Sequence, residues 1–139
     1  MLLGIDPLLT ADLLHALRAM GHGDTIAIVD ANFPATANAR RLVVLPGCDA
    51  SAMLRAVLSV LPLDDFIPEP LTTMQVVGNP DAVPPAVAEF RTIAGSAGIG
   101  SVERHDFYRL AREAFMIVQT GDRRLYANII VTKGVIRVD

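Results

Sequence analysis

The sequence predicts an α/β fold, a single domain over residues 1–139 with a mixed β-sheet flanked by helices. Three observations predict it. Segments with helical spacing alternate with short β-branched apolar segments through most of the chain, and strand-like segments finish it. The chain has no internal repeat, linker or low-complexity stretch to divide it, and 139 residues suffice for one core. Residues 25–29, Thr-Ile-Ala-Ile-Val, look like an interior strand set between two polar loops.

Each element follows in order. Asp6-Pro7 opens a turn, and Thr10 is a good N-cap for a helix over residues 11–20. Leu13, Leu14, Leu17 and Met20 share its inward face, and His15 lies off that face, on the surface. Gly21 follows the helix, where a left-handed residue is wanted. Gly23 lies on the far side of His22, so backbone and ligand can approach the imidazole. After the 25–29 strand come Asp30 and a polar loop to Pro34. Residues 35–39 read as a loop or frayed turn, 42–45 as a strand, and Pro46-Gly47 as its end. Asp49 or Ser51 caps a helix to about residue 61, with Met53, Leu54, Val57, Leu58 and Leu61 inward. Cys48, at its start, is either a reactive thiol or a structural one.

Residues 62–70 form a proline- and acid-bearing loop in which Asp64, Asp65 and Glu69 either line a pocket or, by default, are solvated. A strand over 72–77, a turn at Gly78-Asn79-Pro80 and a helix over 84–94 follow. Gly95 to Gly98 break that helix, and 99–103 is a short strand. Asp106 is a candidate cap for the next helix, with Phe107, Leu110, Ala111 and Ala114 inward. Residues 115–119 read as a strand, 121–124 as a hairpin turn, 125–132 as the next strand, and Lys133-Gly134 as a turn into 135–138. Period two in the 125–132 strand puts Tyr126 and Asn128 on one face, with Ala127, Ile129 and Val131 on an opposite, core face.

Composition narrows the function. The chain is 52% hydrophobic and only 19% charged, rich in apolar residues for a small monomer. No run approaches the ~18 apolar residues of a membrane span, so the surplus points to subunit interfaces and self-association. The net charge of −3 with no basic stripe makes nucleic acid and anionic membranes poor partners. The first residues lack a basic n-region, so no signal peptide is expected. One cysteine excludes a disulfide framework and fits a cytoplasmic location.

His22 and Asp30 flank one short strand, so either the strand bends or a neighbouring subunit contributes if both are to meet one ligand. Read plainly, His22 is a loop histidine, Asp30 a turn cap, Tyr126 a half-buried aromatic and Asn128 part of an exposed edge. A metal site from His22, Asp24, Asp30 and His105 has suitable donors but no compact ligand spacing.

Four pieces decide among these readings: Gly21-His22-Gly23-Asp24; Asp30-Ala31-Asn32-Phe33-Pro34; Arg104 ahead of Phe107-Tyr108; and Tyr126-Ala127-Asn128-Ile129. In order, spacing and overall length the chain resembles the fucose mutarotase / ribose pyranase family, closer to the fucose type. The resemblance implies a cofactor- and metal-independent isomerase that interconverts cyclic forms of a monosaccharide such as L-fucose. It implies that His22 transfers the proton, with Asp30 and Tyr126 beside it in catalysis, and that Asp30, Arg104, Tyr126 and Asn128 bind sugar. Fucose-type members carry arginine at the Arg104 position and ribose-type members histidine; here His105 is the next residue. The resemblance further implies a ring-forming fold, commonly a decamer, with sites at subunit boundaries. Phe33, against a sugar face, and Asp24 are second-tier candidates. A non-catalytic sugar-binding subunit with the same pocket is the rival reading.

Overall fold

A computed structural model describes residues 1–139. Its elements run α1 (Ala11–Ala19), β1 (Thr25–Val29), α2 (Ala35–Asn38), β2 (Leu42–Leu45), α3 (Ala50–Leu58), β3 (Leu71–Met74), α4 (Pro85–Ala94), β4 (Ile99–Val102), α5 (Arg104–Glu113), β5 (Met116–Thr120) and β6 (Ile129–Thr132). Helix starts fall where a side chain can accept an unpaired first-turn N–H. Thr10 accepts from Leu13 N, and Asp49 accepts from Ala52 N at 2.7 Å. Glu103, not Asp106, caps α5 by accepting from Asp106 N at 2.8 Å. That moves Arg104 and His105 from a preceding loop into the first helical turn.

The strands lie in the order β2-β5-β1-β6-β3-β4. All are mutually parallel except β6, which runs against both β1 and β3. One edge of the sheet therefore collects the carboxyl ends of five strands and the start of β6; the other collects the five amino ends and the end of β6. Side chains alternate across the sheet. Ile26, Ile28, Met116, Val118, Ala127, Ile129 and Val131 join α1, α3 and α4 in a 22-residue core. Ala27, Val29, Ile117, Ile130 and Met74 join Phe33, Ala35, Phe107, Ala111 and Ala114 in a 10-residue core on the opposite face. The mixed sheet flanked by helices is as expected, and Ala127, Ile129 and Val131 do form a core face.

Several local expectations fail for reasons of pairing. Residues 121–124 do not make a hairpin turn, because β1 lies between β5 and β6. The last strand starts at Ile129 rather than 125, and Lys133 makes only an isolated bridge to Leu63, with no strand over 135–138. Without a neighbouring strand those apolar runs have no ladder to join. The left-handed residue after α1 is Gly23 (φ 84°), not Gly21. Met20 ends α1 instead, with its carbonyl and that of Leu17 accepting from Lys133 Nζ at 2.6 and 2.8 Å.

Candidate active site

Topology brings four of the five candidate residues to the carboxyl edge. Asp30 follows β1, Arg104 follows β4, and Tyr126 and Asn128 precede β6. Together with Asn32, Phe33, Met74, Tyr108 and Leu125 they line a cleft of about 140 Å³. Open α/β sheets bind ligands at this edge because loops diverge there from a rigid support.

Asp30 and Asn128 make a reciprocal pair. Asp30 N donates to Asn128 Oδ1 at 2.9 Å, and Asn128 Nδ2 donates to Asp30 Oδ2 at 3.0 Å. Asp30 Oδ1 also accepts from Asn32 N at 2.9 Å. Both side chains are buried. Burial pushes the Asp30 carboxyl above its ordinary value; hydrogen bonds from Asn32, Asn128 and Phe33 offset only part of that rise. From β5, Gln119 Nε2 donates to the Phe33 carbonyl at 3.0 Å, and Ala31 N donates to the Asp122 carbonyl at 2.9 Å, so the Asp30 loop is held from two sides.

Tyr126 reaches this cleft by a route that strand periodicity does not describe. It sits in a turn with φ 63°, an uncommon conformation for a bulky residue, and its hydroxyl accepts from Val77 N at 3.2 Å. The expected association with Asn128 is real, but a left-handed turn produces it rather than alternation along a strand. Arg104 is exposed and lines the cleft, whereas His105 turns toward Tyr108, with ring centroids 6.1 Å apart. Phe33 is buried and packs edge-on against Phe107 and Tyr108 while still contributing to the cleft wall.

His22 is not in this cleft. It precedes β1, on the opposite edge, and the strand alone separates the two ends by about 13 Å at ~3.3 Å per residue. Its Nε2 lies 3.1 Å from Asp64 Oδ1, and its ring lies 5.0 Å from that of Phe66. Asp24 serves its own loop, with Oδ2 accepting from Gly21 N at 2.7 Å. The four donors of the metal alternative are thus dispersed: His22 and Asp24 at one edge, Asp30 at the other, and His105 on α5. Cys48 is half-buried and its thiol donates to the Leu45 carbonyl at 3.4 Å; burial first, then the charges of Asp49 and Asp122, push that thiol up, opposite to what activation needs.

Sequence reasoning missed two features. Asp64 reads as a solvated loop acid, yet its side chain is only 6% exposed and pairs with His22; no local signal distinguishes it from Asp65. Tyr108 and Met74 complete the cleft wall; in the sequence Tyr108 stands out only as the neighbour of Phe107, and nothing singles out Met74. Four larger grooves, of about 460, 430, 290 and 190 Å³, lie elsewhere, and none of them is lined by Asp30, Tyr126 or Asn128.

Comparisons with known proteins agree with this fold. The chain is 36% identical to human fucose mutarotase over 146 residues, spanning 98% of this chain and 95% of that one. It is 36% identical to the L-fucose mutarotase of Histophilus somni, over 97% of each chain. Its fold superimposes on the crystal structure of the Streptococcus pneumoniae fucose mutarotase in complex with L-fucose with a TM-score of 0.92, at 35% identity over 98% of this chain and all of that one. A model of the RbsD / FucU transport protein family matches residues 3–136. Extent of match, strand order and relatives all lead to one assignment, and the chain belongs to the RbsD / FucU family.

Proposed function

We propose that the protein is a monosaccharide mutarotase that accelerates anomer exchange of L-fucose or a close relative, and that its sites form between subunits. The carrying observation is the division of labour between the sheet edges. A cleft that gathers an under-compensated carboxyl with Arg104, Tyr126 and Asn128 stands at one edge, and a carboxylate-paired, 44%-exposed imidazole stands at the other. The cleft's ~140 Å³ is small beside the about 300–1,000 Å³ of ordinary ligand sites, which supports a wall supplied from outside the chain. Large apolar side chains left exposed, among them Phe66, Val77 and Leu125, support the same reading.

Mutarotation opens a hemiacetal and recloses it on the other face. The anomeric hydroxyl loses its proton as its oxygen becomes a carbonyl, the bond from C1 to the ring oxygen breaks, and the ring oxygen gains a proton. Reclosure reverses each change, so the reaction needs no net oxidation and no leaving group. A residue that both gives and takes a proton near neutrality suits this, and histidine is the natural one. In this reading His22 of one subunit moves the proton at the anomeric end of a sugar held by its neighbour. Asp30 accepts from sugar hydroxyls, Arg104 donates to them, and Tyr126 and Asn128 position the anomeric end, with the Tyr126 hydroxyl beside the proton's path. Arg104, rather than His105, on the cleft wall supports the fucose-type assignment over the ribose type. The working unit is one domain of residues 1–139 in a ring, with a decamer as its size, located in the cytoplasm.

Saturation-transfer NMR on L-fucose, D-ribose and D-galactose tests this. Wild-type protein accelerates fucose anomer exchange, and His22→Ala lowers the rate constant by on the order of 10²–10⁴-fold. Binding of sugar with no change in exchange rate would leave only a sugar-binding subunit. Co-assembly of His22→Ala with Asp30→Asn subunits restores part of the activity if sites are shared, because some boundaries then carry both intact residues.

A further inference from the structure

We propose that Asp64 is the positioning residue of His22: it holds the ring proton on Nε2, so that Nδ1 is the nitrogen that exchanges a proton with the sugar. The inference deepens the mutarotase reading and rests on it. Asp64 Oδ1 lies 3.1 Å from His22 Nε2 and also accepts from Phe66 N at 3.0 Å. An ionised carboxylate only accepts, so the nitrogen facing it carries the hydrogen. A neutral imidazole has a single N–H, which leaves Nδ1 with its lone pair. The phenyl ring of Phe66 flanks the imidazole. The neighbouring Asp65 is neutralised by Arg137, which also lies over Phe66, so Asp64 is the carboxylate left to act on the ring.

Asp64 can hold a ring in place only if it is itself held, and its loop is clamped along its length. Asp64 N donates to the Thr132 carbonyl at 3.1 Å, and Gly134 N donates to the Pro62 carbonyl at 2.8 Å. At the far end Thr132 N donates to the Pro70 carbonyl at 2.8 Å. Two close approaches need glycine. A Cβ at Gly134 would lie 2.3 Å from the Leu63 carbonyl oxygen, and one at Gly98 would lie 1.8 Å from that of Pro68. The imidazole is thus an exposed group on a fixed mount, the arrangement that acid–base catalysis across a subunit boundary requires.

The test uses Asp64→Asn, which keeps an oxygen for Phe66 N and removes the charge. Its kcat for fucose anomer exchange falls on the order of 10- to 100-fold, the usual cost of losing a histidine's orienting partner, while KM stays within about twofold. An Asp64→Asn protein with wild-type kcat overturns the proposal. Nitrogen-15 NMR of the wild-type protein decides independently of the variant's folding. At a pH where the ring is neutral, His22 shows a protonated Nε2 and a bare Nδ1; the reverse pattern overturns the proposal. Wild-type protein that fails to accelerate anomer exchange sinks the mutarotase reading instead, and the nitrogen spectrum still tells where the ring proton sits.

Discussion

Asp30 and Asp122 are each 4% exposed, follow neighbouring parallel strands at the same sheet edge, and are linked by the Ala31–Asp122 backbone hydrogen bond. Their partners differ completely. Asp122 Oδ1 accepts from Arg124 N and Nε, both at 3.0 Å, and Oδ2 accepts from Arg124 Nη2 at 2.8 Å and from Ala50 N at 3.0 Å. Arg124 goes on to Glu89 Oε1 at 2.7 Å, and Glu89 accepts from the Ser51 hydroxyl. One carboxylate thus ties the loop before Tyr126 to α4 and to the amino end of α3, where negative charge is favoured. Asp30 has amide partners, no cation, and a cleft in front of it. Burial raises both carboxyls; around Asp122 the Arg124 side chain and the Ala50 and Arg124 N–H groups overcome it and the net shift is downward, whereas around Asp30 the net shift is upward. Two acids of equally low exposure thus sit in opposite electrostatic settings, one paired with a cation and the other held by amides alone.

Arg124→Ala should show the fastening most strongly. It leaves Asp122 buried without its cation, a change that costs about 3 kcal/mol when the low end is taken for a partly exposed arginine. The melting temperature falls by roughly 10 °C at fixed protein concentration. Because Tyr126 lies two residues on, in a left-handed turn, its placement suffers too and anomer exchange slows. A variant that melts with the wild type would show that Asp122 needs no cation, and the contrast with Asp30 would dissolve.

Asp30→Asn sharpens the contrast from the other side. Removing a buried charge favours the fold, but the new amide meets the Asn128 amide donor to donor, since Asn128 Oδ1 is already committed to Asp30 N. These effects oppose each other, and stability stays within about 1 kcal/mol of wild type. In the proposed reading Asp30 accepts from the sugar, so the exchange rate falls by on the order of 10²-fold. Thermal melts and exchange NMR on the same sample separate the two outcomes. Destabilisation as large as that of Arg124→Ala would make Asp30 another fastening.

The same distinction marks what the sequence made legible. Helices and strands announce themselves locally, through Thr10, Asp49 and the apolar spacing of residues 11–20 and 25–29, and those elements stand close to where their patterns put them. Asp30, Arg104 and Asn128 follow from motif resemblance, and the sheet brings them together. The placement of β1 between β5 and β6 is a non-local pairing that no local pattern encodes, so the 121–124 hairpin was a natural but mistaken inference. Asp64 and Asp65 are adjacent acids in one proline-rich loop; only the return of the chain past Thr132 and Gly134 buries the first and leaves the second to Arg137. Alternation along a strand pairs Tyr126 with Asn128 in the sequence, and a left-handed turn does so in the fold.

The smallest effect is one of sign, in the pH dependence of stability. Asp30 has a folded-state affinity for protons above the ordinary carboxylate value of about 3.9. Between that value and its raised one the folded state holds more protons than the unfolded state, so this group lowers stability as pH rises through the window and contributes a constant penalty above it. Asp122 does the opposite: its contribution is fully present above the ordinary value and is lost as pH falls through its lowered one. Urea titrations from pH 3 to pH 7 therefore separate the variants by the shape of their curves. Relative to wild type, Asp30→Asn gains stability as pH rises above about 4 and then runs parallel. Asp122→Asn loses stability over the acid range where wild-type Asp122 ionises. A gap between wild type and Asp30→Asn that stays flat from pH 4 to pH 7 would mean that Asp30 feels no net cost of burial, and the cleft would lose its claim to an acid held ready for a sugar.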